Sequence, residues 1–203
     1  MVGDIILIVL VVFVAYLFGS FPSAYIVSRL IKGVDIREAG DGRLGATATY
    51  RRVGLTGGII AGLMDLAKGA AAVLLANGLG LPLWVVLLAG LAAVVGHNWS
   101  IFLRFKGGKG ALTIYGALAS LMFWQLLIAL ALGLIVYLIT HKTGMSTGLL
   151  LGFLSLIIWF TSSLILLSIM PLFIAIPMVV KHVTMPEAVK IAARREKQKN
   201  KKG

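Results

Sequence analysis

The residues best suited to chemistry lie in one polar island, 96–110, reading Gly-His-Asn-Trp-Ser-Ile-Phe-Leu-Arg-Phe-Lys-Gly-Gly-Lys-Gly. His97, Arg104, Lys106 and Lys109 crowd beside Gly107, Gly108 and Gly110, with no acidic residue among them. Glycine lets a ligand come close to backbone N–H groups, so bare amides next to fixed positive charge make an anion site. An apolar, helix-competent run opens at Ala111, and its first amides and dipole would face the same spot. The island predicts a phosphate cradle at the mouth of a membrane helix. A nucleotide P-loop fails on spacing: Leu103 stands where its first glycine belongs, and Gly110 where Ser or Thr would hold magnesium. A plain cytoplasmic loop obeying the positive-inside rule explains the charge equally well, but gives no reason for the Gly-Gly-Lys-Gly run. On composition alone both readings stand.

A second polar stretch, 29–53, sets Arg29, Lys32, Arg37, Arg43, Arg51 and Arg52 against only Asp35, Glu38 and Asp41. Its Gly-Asp-Gly-Arg-Leu-Gly-Ala-Thr segment, ending at Thr47, is too glycine-rich for a helix interior and reads as a functional loop. Asp65 and Lys68 fall inside an apolar run at i and i+3, on one helix face. They form either a pair that locks helix packing or part of the lining of a polar site.

The elements that must position these groups are membrane spans. The chain has 203 residues, 60% of them hydrophobic, and a mean hydropathy of +1.01. No single soluble core could bury so much apolar surface. Without cysteine there is no disulfide, thiolate nucleophile or thiolate metal site. Three His and seven dispersed carboxylates argue against a metal centre, and no cofactor is called for. The formal charge of +12 borders apolar runs, which points to anionic lipid and phosphorylated small molecules rather than nucleic acid. The first run lacks a basic leader and carries Asp4, so it reads as a retained span rather than a signal peptide.

Seven spans are predicted, at about 5–30, 54–76, 83–95, 111–122, 124–140, 149–160 and 164–180. Pro22 should kink the first, with Ser20 and Ser23 satisfying the carbonyls it frees. A tight junction near Phe123 should separate the fourth and fifth spans, because one helix through both would exceed the hydrocarbon thickness. Residues 1–182 make a single helical domain, and 183–203 a basic tail. In the tail, Thr184 and Glu187 have capping-box form ahead of a short interfacial helix. With seven spans, 18 of the 19 Lys and Arg fall on one side, Lys68 alone lying within a span. The positive-inside rule makes that side cytoplasmic and puts the N-terminus outside. Both glycine-rich loops then face one compartment and can build one site.

Four stretches, taken in order, resemble the bacterial PlsY family of membrane glycerol-3-phosphate acyltransferases that use acyl phosphate. They are Gly-Ser-Phe-Pro-Ser-Ala-Tyr at 19–25, the Gly-Ala-Thr block at 45–47, Met-Asp-Leu-Ala-Lys-Gly at 64–69, and the island with its Phe-Lys-Gly-Gly-Lys-Gly. The resemblance implies an all-α, seven-helix bundle in the bacterial inner membrane with a cytoplasmic-side site and no metal. The reaction it implies is transfer of an acyl chain from acyl phosphate to glycerol 3-phosphate, giving lysophosphatidic acid. Arg51, Lys109 and His182 match the family's catalytic positions, and Gly107, Gly108 and Gly110 its backbone cradle. Thr47, His97, Lys106 and Ser146 join the substrate-binding set, as do Asp41 and Arg43 in the first loop. No partner protein is implied, and a monomer is the expected state.

The chain also departs from that pattern. Asp41 replaces a serine, Arg43 and Ala48 replace asparagines, and Met185 stands where an asparagine follows the histidine. A carboxylate beside a phosphate is repulsive unless paired, and Arg43 can offset Asp41. Acyl transfer to another acceptor, a non-catalytic phosphate- or lipid-binding protein and a small transporter are the competing readings. The last lacks the internal repeat that transporters tend to show.

Overall fold

The computed structural model describes residues 2–37, 44–141, 143–162 and 164–184, with backbone alone for Val2, Thr143, Gly144 and His182. Its elements in chain order are α1 (Val2–Ser20), α2 (Ser23–Lys32), α3 (Ala46–Val53), α4 (Leu55–Gly78) and α5 (Leu83–Asn98). A 3-10 turn (Ile101–Leu103) follows, then α6 (Ala111–Ala119), α7 (Phe123–Thr140), α8 (Thr143–Thr161) and α9 (Ile165–Val183). The stretches Gly3–Lys32, Leu55–Gly78 and Phe123–Thr140 are long and apolar enough to cross a membrane, and Leu83–Asn98, Met145–Thr161 and Ile165–Lys181 are shorter apolar helices. Their outer faces expose Ile, Leu, Phe and Trp, among them Ile6, Phe13, Trp124 and Phe160. That exterior suits hydrocarbon rather than water.

Between helices in lipid there is little hydrophobic gain, so close van der Waals fit must hold them together. The sequence provides it with reciprocal glycines. Gly69 of α4 lies against the Thr113 carbonyl of α6, while Gly116 of α6 lies against the Leu66 carbonyl of α4. Gly19 of α1 and Gly96 of α5 likewise meet the Ala93 and Tyr16 carbonyls of the opposite helix. At each of the four positions a Cβ would overlap backbone atoms. Small residues such as Ala72, Ala89 and Ala117 fill the seam, and Ile114, Leu154 and Ile174 close it from α6, α8 and α9.

Several expectations need correction. Pro22 breaks the first span into α1 and α2 instead of kinking one helix. The connection 29–53 contains a helix, α3, because glycine runs out at Gly45 and Ala-Thr-Ala-Thr-Tyr-Arg-Arg-Val follows. The island's first residues, Gly96, His97 and Asn98, are the last turn of α5. The fourth and fifth spans separate at 120–122, as the length argument required. Only nine residues of the fourth, α6, are helical. The sixth begins at Thr143, absorbing the expected turn and placing Ser146 on a helix. The Thr184 hydroxyl donates back to the Val180 carbonyl at 2.8 Å, closing α9. The rest of the tail, with Met185 and Glu187, lies outside the described residues, as do Asp41 and Arg43.

Candidate anion-binding site

Two helix N-termini meet at one place. Helix α6 opens from Gly110, whose φ of +80° is strained for any residue with a side chain, and no side chain caps it. Helix α3 opens from Gly45, also without a side-chain cap. A Cβ on Gly45 would lie 3.8 Å from the Cα of Gly108. First-turn side chains from both helices, Ala46 and Leu112, pack on the same glycine of α4, Gly62, at 3.5 and 3.2 Å from where its Cβ would be. The positive ends of two helix dipoles are therefore aimed at one spot, which is the local requirement for holding an anion.

The glycine loop is pressed onto the end of α5. Gly107 packs against the His97 and Asn98 carbonyls, and Gly108 against the His97 ring at Nε2. The Gly108 amide donates to the His97 carbonyl at 3.3 Å. This amide therefore serves the fold and does not face outward as the expected cradle would have it. Lys109 is half-buried, whereas Lys106 is exposed and bridged through its backbone to Ser100. On α3, Thr47 is exposed and Arg51, one turn further on the same face, is half-buried. Ser146 is buried on α8, next to Thr147, whose hydroxyl lies 3.5 Å from the Tyr115 hydroxyl one turn into α6. Lys181 holds its ammonium over the Trp99 ring at 5.3 Å, bringing the last turn of α9, and the backbone of His182, to this end of the bundle.

Beneath the loop lies a buried polar cluster that ties it to the helices. Asp65 Oδ1 accepts from the Ser23 hydroxyl at 2.6 Å and pairs with Lys68 Nζ at 2.8 Å. His97 Nδ1 lies 3.4 Å from the same oxygen. Lys68 Nζ also donates to the Phe21 carbonyl at 3.2 Å, joining the Ser23 amide at the break beside Pro22. Ser23 keeps its expected role and gains another: its hydroxyl lies 3.5 Å from the Phe21 carbonyl and 2.6 Å from Asp65, whereas the buried Ser20 hydroxyl has no partner among the described residues. The two readings of Asp65 and Lys68 both hold: they pair, and with Ser23, His97 and Gly107 they line a small cleft.

The first loop is fastened independently. Arg37 grips Asp35 through its backbone amide, Nε and Nη2, the last at 2.7 Å, and stacks on Tyr25 at 4.5 Å. Those side-chain hydrogen bonds hold the Asp35 carboxyl down at about 2 against the opposing effect of its burial. The Arg37 amide and the Arg37 and Arg29 charges add to them. Ile36, Leu44, Ala48 and Leu103 pack together below, joining this loop to α3 and the 3-10 turn.

Sequence reasoning did not single out Asn98, Tyr115 or Thr147. Asn98 is fully buried, and neither of its amide atoms has a partner among the described residues. A Cβ on Gly110 would fall 2.7 Å from its Oδ1, so it sits directly under the loop. Its place beside His97 was the available signal.

The fold is that of an apolar helical-bundle membrane protein in which two uncapped helix starts and a glycine-rich loop come together. Comparison with known proteins narrows this. A family model described as Glycerol-3-phosphate acyltransferase matches residues 9–189. "Glycerol-3-phosphate acyltransferase 2" of Moorella thermoacetica is 51% identical over 58% of this chain and 62% of its own length, less than two thirds of that relative. "Glycerol-3-phosphate acyltransferase 1" of Dehalococcoides mccartyi is 44% identical over 73% of this chain and 74% of its own. The crystal structure of PlsY, an integral membrane glycerol 3-phosphate acyltransferase in its glycerol 3-phosphate form, superposes with a TM-score of 0.76 at 28% identity. That match covers 86% of this chain and 88% of PlsY. The chain belongs to the glycerol-3-phosphate acyltransferase family.

Proposed function

We propose that this protein transfers a fatty acyl chain from acyl phosphate to glycerol 3-phosphate, releasing lysophosphatidic acid and inorganic phosphate. The observation that carries the reading is the meeting of the α3 and α6 N-termini beside Lys109 in a chain of this family, with Arg51 further along α3 on the face of Thr47. The crystallised relative with the same fold is described in glycerol 3-phosphate and lysophosphatidic acid forms. Two phosphorylated substrates bring several negative charges together, which only clustered cations and amides tolerate.

In the step, a glycerol hydroxyl oxygen attacks the carbonyl carbon of the mixed anhydride, the carbon–oxygen bond to phosphate breaks, and phosphate leaves. A substrate phosphate oxygen takes the hydroxyl proton, so no protein base is required. Lys109, Arg51 and the loop amides hold the phosphates and oppose the charge that develops on the carbonyl oxygen. Acyl phosphate is already activated, and positioning supplies much of the remaining acceleration. The orientation follows from charge: seven spans in the bacterial inner membrane, N-terminus outside, site facing the cytoplasm, one chain per functional unit.

Purified protein in lipid mesophase, given palmitoyl phosphate and glycerol 3-phosphate, should release phosphate only when both are present, and Lys109→Ala should abolish this. Release without acceptor dependence would assign another acceptor. No release, with acyl phosphate still bound, would make the chain a binding protein.

A further inference from the structure

The segment between α5 and the glycine loop is built to sit in a bilayer surface. Ile101, Phe102 and Phe105 are 46%, 57% and 61% exposed. Between them stands Arg104, exposed and without an acidic partner among the described residues, and Lys106 faces outward just beyond. The backbone works to present this arrangement. Leu103 alone is turned in as a pin, and the Leu103 and Phe105 amides both donate to the Ser100 carbonyl, at 3.1 and 2.8 Å. Arg104 and Phe105 are held at φ of +55° and +59°, a left-handed pair that is unfavourable for residues with side chains. The Ser100 hydroxyl ties the turn to the Ser20 carbonyl at the end of α1.

The neighbours mark the level. Tyr16 bonds the Trp99 carbonyl at 2.9 Å, and Lys181 at the end of α9 lies over the Trp99 ring. Aromatic and basic side chains gathered where three helices end are the signature of a headgroup layer.

We propose that the turn 100–106 is an anionic-lipid anchor: its apolar tips enter the edge of the acyl region while Arg104 and Lys106 take lipid phosphate. The inference rests on the chain's membrane location and not on its turnover. Because Gly107 follows directly, the anchor fixes the glycine loop at headgroup depth, where an amphiphilic acyl donor has its phosphate on one side and its chain on the other.

The chain has no cysteine, so single labels are clean. Nitroxides at Phe102→Cys and Phe105→Cys would be compared in phosphatidylcholine vesicles, with and without an equal part of phosphatidylglycerol. Asn77→Cys, exposed in the last turn of α4, and Leu134→Cys on the exposed face of α7 serve as references. At 102 and 105, molecular oxygen should broaden the signal more than a water-soluble nickel chelate does, at a depth shallower than 134. In a second arm, a fluorophore at 102 should be quenched more by brominated phosphatidylglycerol than by brominated phosphatidylcholine. Arg104→Gln should reduce the excess by roughly fivefold, the surface attraction of one charge. Nickel access at 102 and 105 equal to that at 77 would overturn the anchor and leave the patch to a soluble partner. Equal quenching by the two lipids would overturn its preference for anionic headgroups. Neither arm measures acyl transfer, so failure here is separable from failure of the proposed reaction.

Discussion

At the scale of single residues, Lys109 and Lys68 make opposite use of one ammonium group. Lys109 stands half-buried in the glycine loop, where in the proposed reaction its charge would meet substrate phosphate. Replacing it with Ala should lower kcat/KM by roughly 10²–10³-fold, as loss of one preorganised donor does, with the fold unchanged by circular dichroism. Lys68 is 8% exposed and spends its charge on Asp65, Ser23 and a backbone carbonyl. Lys68→Met should cost about 3–5 kcal/mol because it leaves a buried carboxylate unpaired, whereas Asp65→Asn with Lys68→Met should recover most of that. A double-mutant cycle in chemical denaturation reads the difference, and equal losses in single and double variants would refute the pairing. Asp35 gives a pH signature. Its carboxyl is held down at about 2 in the folded chain against about 3.9 unfolded. Its contribution to stability is therefore complete above pH ~4 and disappears as pH falls towards the folded value. Acid titration of wild type against Asp35→Asn should show that limb only in the wild type.

At the scale of elements, the reciprocal glycines decide how close the site's helices come. Gly116→Val would drive a branched side chain into the Leu66 carbonyl and push α6 off α4. The expected result is loss of monodisperse protein in detergent, while Gly148→Val, where nothing lies within contact distance, should be tolerated. Much of this layer was legible in the sequence. The apolar runs marked the long helices, and the length argument placed a break between α6 and α7. Gly-Gly-Lys-Gly announced both the loop and the helix after it. What escaped was local and tertiary. Helix α3 was hidden because its eight residues adjoin a glycine-rich stretch whose character dominated the reading. Ser23 was assigned to its own helix alone because nothing in the sequence says that α4 brings Asp65 alongside. Gly108 was expected to offer its amide outward, and only the packing on α5 reveals that the His97 carbonyl takes it.

At the scale of the molecule, the site is a joint product of distant parts of the chain. The first loop is anchored by Asp35, Arg37 and a small apolar cluster, the glycine loop by α5, and α4 carries both opening helices. The apolar exterior sets the bundle in lipid, and the two helix starts and the glycine loop meet at helix ends. The competing reading as a transporter fits this poorly, because a polar site at a helix-end surface suits chemistry at an interface better than passage across it.

The convergence of α3 and α6 also has a thermodynamic side. Each helix start carries roughly half a positive charge, and two such poles brought together repel, so closing this corner of the fold opposes itself electrostatically. An anion between them turns the repulsion into attraction, and its binding energy then counts towards folding. Inorganic phosphate or glycerol 3-phosphate, without any acyl donor, should therefore raise the melting temperature. At a hundredfold excess over Kd the gain would be about 2.7 kcal/mol. Sulfate should partly substitute, and a neutral polyol such as glycerol at the same concentration should not. For this protein the acceptor would then be a structural member of the bundle as well as a reactant.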